Sequence, residues 1–159
     1  MLELVATPFA VVRCLATSER LDRLRVPAAA HACRVASDEL ILLGPVAAAQ
    51  ELVAACSGLE ADGVVIDDTD GFAAWTLSGP AAEEAFARLS AIELPNERPA
   101  FVQGAIAGVP GKALAEVERI HVLVSASLGH HLLERVAAAC GDLVVSERLA
   151  ADPIESKRA

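Results

Sequence analysis

The residues able to do chemistry fall in a few places along the chain. Asp67, Asp68 and Asp70 run into Gly71 as a dense acidic turn. A calcium loop in this register would need oxygen ligands where Ile66 and Leu77 stand, so a solvated turn is the simpler reading. Asp67 follows directly on the apolar Val64-Val65-Ile66 and is therefore the carboxylate best placed for a perturbed pKa, with turn capping as its competing role. Trp75, the single tryptophan, could stack on a pterin or flavin ring, although a tryptophan in an apolar strand is by default core. Asp67 and Trp75 are the two candidate cofactor-binding residues.

Other constellations fall short of a site. His130 and His131 are adjacent, so on a helix they point about 100° apart and do not meet one metal easily. His130 with Glu134, one turn on, is the better pair, and two groups do not complete a metal centre. His121 lies inside an apolar run, where a hydrogen-bonded histidine is the default. Ser125 and Ser127 have no nucleophile elbow around them. Gly108 to Lys112 ends like a nucleotide loop, but Ile106 occupies the position of its first glycine. At the helix start after Gly79, Pro80 lacks an N–H donor, and Glu83 and Glu84 repel anions. No catalytic residue and no metal ligand is assigned.

These residues need elements to hold them. Val64 to Ile66 reads as a strand entering the acidic turn, and Phe72 to Leu77 as a second strand. Ser78-Gly79-Pro80 then starts a helix with Gly79 as N-cap, carrying Ala82, Phe86 and Leu89 on one face. An earlier strand from Glu39 to Leu43, with Gly44-Pro45 and an alanine-rich helix after it, repeats the same order. Phe101–Ile106 and Ala113–Val117 flank Gly108-Val109-Pro110-Gly111 as a hairpin. Ile120 to Ser125 is a further strand, and Leu128 to Cys140 an amphipathic helix. Leu143 to Val145 forms an edge strand. Short strands interspersed with helices imply an α+β fold, a mainly antiparallel sheet with helices packed on one face.

The chain has 159 residues and a net charge of −9, which argues against nucleic acid as a partner. Its mean hydropathy of +0.45 and 54% hydrophobic content lean toward a protein that buries surface against another. No apolar run reaches the roughly 18 residues of a membrane helix, and the start lacks the basic residues of a signal peptide, so the expected location is cytoplasmic without membrane attachment. Cys14, Cys33, Cys56 and Cys140 form no C-x-x-C pair and read as small apolar core residues. Charge is uneven: residues 1–36 hold five arginines against three acids. Arg20, Arg23 and Arg25 form a basic knot that fits an acidic partner surface, or a solvated loop. The expected organisation is an N-terminal arm at 1–36, one α+β domain at 37–147 and a polar tail at 148–159.

The segment from Val64 to Pro95, VVIDDTDGFAAWTLSGPAAEEAFARLSAIELP, resembles the sarcosine oxidase gamma subunit family, within the folate-binding, aminomethyltransferase-like superfamily. Leu42-Leu43-Gly44-Pro45, Phe101-Val102-Gln103-Gly104 and the span from His121 to Cys140 follow in the family's order, so the resemblance covers residues 38–142. The chain departs from the family at Val46-Ala47-Ala48-Ala49, where an acidic and aromatic run is usual, and at Ala126, where a base is usual. The resemblance implies a non-catalytic gamma-like subunit of a flavin-dependent sarcosine or N-methyl amine oxidase, a demethylating complex linked to folate one-carbon metabolism. Its partners would be larger flavoprotein subunits. Those subunits would hold flavin, NAD and tetrahydrofolate, with no cofactor bound by this chain alone. The alternative is a stand-alone folate-like small-ligand-binding protein on the same fold.

Overall fold

Alternation of buried and half-exposed side chains begins at the first residues. Leu2 and Leu4 are buried while Glu3 and Val5 are not, which makes Leu2–Ala6 strand β1. In the computed structural model, which describes residues 1–59 and 61–148, the chain divides into two compact units. One comprises residues 8–73 with 125–127, the other residues 1–7, 74–124 and the chain from 128 on.

The first unit carries a four-stranded antiparallel sheet. Its elements are β2 (Ala10–Leu15), α1 (Ser18–Asp22), β3 (His31–Ala36), β4 (Glu39–Gly44), α2 (Ala49–Cys56) and β5 (Val64–Asp67), and the strand order is β3-β4-β2-β5. That is a split β-α-β arrangement, in which each helix returns the chain to a strand that is not the neighbour of the one before it. Ala10, Val12 and Cys14 of β2, Leu40 and Leu42 of β4, Leu21 of α1, and Leu52 and Cys56 of α2 form its core. Ile41 and Leu43, on the other face of β4, are buried as well, which explains why Leu40 to Leu43 reads as an unbroken apolar run.

The second unit carries a six-stranded sheet in the order β10-β1-β6-β9-β8-β7. Its further elements are β6 (Phe72–Ser78), α3 (Ala82–Leu89), β7 (Ala100–Ile106), β8 (Val109–Ala115), β9 (Arg119–Ser125), α4 (Gly129–Cys140) and β10 (Val144–Arg148). Setting aside β1 and the outer β7, the order is again that of a split β-α-β unit. β1 lies between β6 and β10, antiparallel to the first and parallel to the second. Ala82, Ala85, Phe86 and Leu89 of α3, and Leu132, Val136 and Cys140 of α4, are the buried stripes of the two helices. The Cys140 thiol lies 3.8 Å from the Ala85 carbonyl oxygen.

The α+β class with mainly antiparallel sheets is as expected, and three details differ. Residues 1–36 are no arm: they supply β1 to one sheet and β2, α1 and β3 to the other, because Leu2-x-Leu4 and Ala10-x-Val12-x-Cys14 alternate at strand period. The single domain expected at 37–147 is two units, each built on its own sheet. The hairpin turns at Ala107-Gly108, where φ is +54° and +81°, so Pro110 falls inside β8 opposite Ala105. Of the expected tail, Arg148 ends β10, and residues 149–159 lie outside the described residues.

Candidate functional site

Strand alternation places Glu3, Val5 and Thr7 on one side of the six-stranded sheet and Leu2 and Leu4 on the other. Ser78 pairs with Glu3, and Thr76 with Val5, in the β1–β6 register, so these residues share a face. His121 of β9 reaches the same face. Together with Gly79, Pro80 and Glu83 at the end of β6 and start of α3, and with the β8–β9 turn from Glu116 to Arg119, they line a groove of about 1340 Å³.

The polar groups on its floor form a continuous hydrogen-bonded chain. Val5 O accepts from Thr7 Oγ1 at 3.2 Å, and Thr7 Oγ1 lies 2.7 Å from Thr76 Oγ1. Thr76 Oγ1 is 2.8 Å from His121 Nδ1, and His121 Nε2 is 3.3 Å from Glu116 Oε2. Arg119 Nε donates to the same carboxylate oxygen. Thr76 and His121 are buried. Partial burial raises the pKa of Glu116, and the hydrogen bonds from Arg119 and His121 outweigh it, so the carboxyl sits below its ordinary value.

Acid, imidazole and hydroxyl thus lie in the order of a nucleophilic triad, but the hydroxyl is not available for attack. The Thr76 hydroxyl is buried and bound on both sides, by Thr7 and by His121, which leaves it no free approach. Its role is to tie β1, β6 and β9 together. The groove rim is acidic, with Glu3, Glu83, Glu116 and Glu118 set against Arg119. Glu83 is paired with Arg98, whose side chain is largely buried, at 2.9 Å, and Glu3 accepts a long 3.4 Å bond from Ser78. Glu118 stands exposed beside Val117, which is 84% exposed.

The residues singled out from sequence fall elsewhere. Trp75 is buried on the face of β6 opposite Thr76 and does not line the groove. Asp67 belongs to the four-stranded unit, where its Oδ1 accepts from Thr69 N at 3.1 Å and Thr69 Oγ1 at 2.6 Å. Those two bonds hold its pKa below the ordinary carboxylate value, the pattern of a turn cap. Arg20, Arg23 and Arg25 are exposed in and after α1, with Arg23 on Glu19 at 2.6 Å. His130 faces Glu134 at 3.2 Å on the exposed side of α4, and His131 Nε2 donates to Ala107 O at 3.1 Å. Among the described residues no three His, Cys, Asp or Glu side chains gather to hold a metal.

The Glu116–His121–Thr76 chain has no sequence signature, since Thr76 comes from β6, 45 residues before His121, and meets it only through the pairing of the sheet. His121 inside an apolar run was its one local sign.

No protein-family model matches the chain, and no curated protein matches it. Solved structures do. The fold is similar to a chain of the heterotetrameric sarcosine oxidase from Corynebacterium sp. U-96, solved with pyrrole 2-carboxylate. The TM-score is 0.72 at 17% identity, over 93% of this chain and 87% of that one. The glycine cleavage system aminomethyltransferase T from Bartonella henselae matches at TM-score 0.59 and 11% identity, over 93% of this chain and 47% of that one. The ligand-free regulatory subunit of aspartate kinase from Thermus thermophilus matches at TM-score 0.50 and 12% identity, over 87% and 97% of the two chains. The chain therefore has a fold shared with sarcosine oxidase and aminomethyltransferase structures.

Proposed function

We propose that this protein is a non-catalytic, gamma-like subunit of a flavin-dependent complex that oxidatively demethylates sarcosine or another N-methyl amine, linked to folate one-carbon metabolism. One observation carries the reading. The likeness to a chain of heterotetrameric sarcosine oxidase runs through 93% of this chain and 87% of that one, so the two correspond over nearly their whole lengths and not through a shared module. The aminomethyltransferase match, by contrast, takes in 47% of that larger chain. On this reading the larger flavoprotein subunits hold flavin, NAD and tetrahydrofolate, and this chain holds none of them. Arg20, Arg23 and Arg25, exposed on the four-stranded unit, serve as a basic contact for an acidic partner surface.

The test is to isolate the tagged protein from its own cells under mild conditions, and to record the absorption spectrum and masses of what accompanies it. Larger chains in fixed ratio, with flavin absorption, support the proposal. A colourless lone protein defeats it. In the isolated complex, replacing Arg20, Arg23 and Arg25 with Glu is expected to weaken association while leaving the circular dichroism spectrum unchanged. Unchanged co-elution overturns the basic contact alone.

A further inference from the structure

The groove of the six-stranded unit combines three features. It is a concave stretch of sheet face with a volume of about 1340 Å³. Among the described residues its rim is mainly acidic, carrying Glu3, Glu83, Glu116 and Glu118 against Arg119. Two of those acids are already matched, Glu116 by Arg119 and Glu83 by Arg98. Glu3, half-buried with only a long bond from Ser78 among the described residues, and the exposed Glu118 remain to be neutralised by an incoming group. Between Glu116 and Glu118, Val117 is 84% exposed, an apolar side chain held out at the tip of the β8–β9 turn. An acidic rim interrupted by an exposed apolar residue favours a ligand with both positive charge and apolar surface. A small cation would leave most of this volume and Val117 uncovered.

We infer that this groove docks an extended basic segment of a partner chain, with lysine or arginine side chains on Glu3 and Glu118 and an apolar side chain on Val117. The inference rests on the proposed subunit role and names the surface through which that role is met. The Glu116–His121–Thr76–Thr7 chain keeps the floor fixed across three strands, so the segment binds a preformed surface. Charge complementarity of this kind acts on association rate and salt dependence as well as on affinity.

The test uses the complex isolated from its own cells. Zero-length carbodiimide coupling joins carboxylates to lysines in contact, and mass spectrometry then locates the bonds. The inference expects Glu3 or Glu118 joined to lysines of a larger chain. The double variant Glu3→Lys/Glu118→Lys is expected to weaken association about tenfold or more at low salt. Glu118→Lys alone, in an exposed turn, is expected to show part of that loss without any risk to the fold. The control Glu97→Lys/Glu134→Lys makes the same charge change at exposed positions outside the groove and is expected to leave association unaltered. Equal losses from groove and control variants would reduce the effect to overall charge and overturn the inference. Coupling between two copies of this chain, or a complex that ignores the groove variants, overturns it while the subunit role stands. Isolation of the chain with no partner at all overturns both.

Discussion

His121 Nδ1 and Thr76 Oγ1 are 2.8 Å apart on neighbouring strands, both residues buried, and the bond between them is the central link of a hydrogen-bonded chain that crosses three strands. The bonds run in one direction: Thr7 donates to the Val5 carbonyl, Thr76 donates to Thr7, and the Thr76 oxygen accepts from Nδ1–H of His121. Each hydroxyl uses its single proton within this chain, which ties the strands together.

Thr76→Val tests the link. The side chain keeps its shape and loses the hydroxyl, leaving the Nδ1 side of a buried imidazole without that partner. The expected loss is about 1 to 3 kcal/mol in urea unfolding. Thr76→Ser retains the oxygen and should lose clearly less. Equal losses for the two variants would mean that packing of the methyl group, and not the hydrogen bond, is what matters.

Glu116 gives a pH prediction whose sign is fixed by its surroundings. Burial raises its pKa, but the bonds from Arg119 and His121 prevail and the folded value lies below the ordinary 4.5. A group whose pKa is lower folded than unfolded adds stability that is fully present above the unfolded value and is lost as pH falls through the folded one. Glu116→Gln should therefore lower Tm at pH 7 and narrow its gap from the parent protein as the pH drops below 4.5. A gap that stays constant on acidification would show that Glu116 does not contribute through its charge.

The four thiols should be silent in the native state. Cys14, Cys33, Cys56 and Cys140 are all buried, and burial pushes Cys33 and Cys56 up to about 12. At pH 8 the thiolate fraction at those two is on the order of one in ten thousand, and only the thiolate reacts. A thiol-specific chromogenic reagent is expected to count no fast-reacting cysteine in the folded protein and four after denaturation. Rapid reaction of even one thiol before unfolding would contradict the burial assigned to it.

What could be read from the sequence was whatever is local. The strand, Gly-Pro, helix order at Leu43-Gly44-Pro45 and again at Ser78-Gly79-Pro80 was legible, and it marks one strand-to-helix joint in each split β-α-β unit, from β4 to α2 in one and from β6 to α3 in the other. The role of Gly79 was not: the helix begins at Ala82 with Ala81 as N-cap, while Gly79 turns the chain at φ +92°, where a Cβ would stand 3.0 Å from the Met1 carbonyl oxygen. That contact depends on β1, whose place between β6 and β10 is a long-range pairing that no local pattern encodes. The same cause hid the site. Thr7, Thr76, His121 and Glu116 meet only because β1, β6 and β9 lie side by side. Within residues 1–36 the alternations around Leu2, Leu4, Val12 and Cys14 are short, so the strand period is weak there and the arginines dominate the local pattern.

Phe86 was legible and now carries a sharper expectation. The spacing of Ala82, Phe86 and Leu89 put it on the inner face of its helix, and its side chain is 1% exposed, among the largest fully buried in the protein. Two of its neighbours on the buried stripe of α3, Ala82 and Ala85, are small and cannot swing in to fill a void left at this position. Phe86→Ala is expected to lower stability by about 3 to 5 kcal/mol, measured by denaturant unfolding at constant m. The conservative Phe86→Leu should recover most of that, because it replaces most of the volume. A loss well below 1 kcal/mol for the alanine variant would mean that this face of α3 is not the one packed inside.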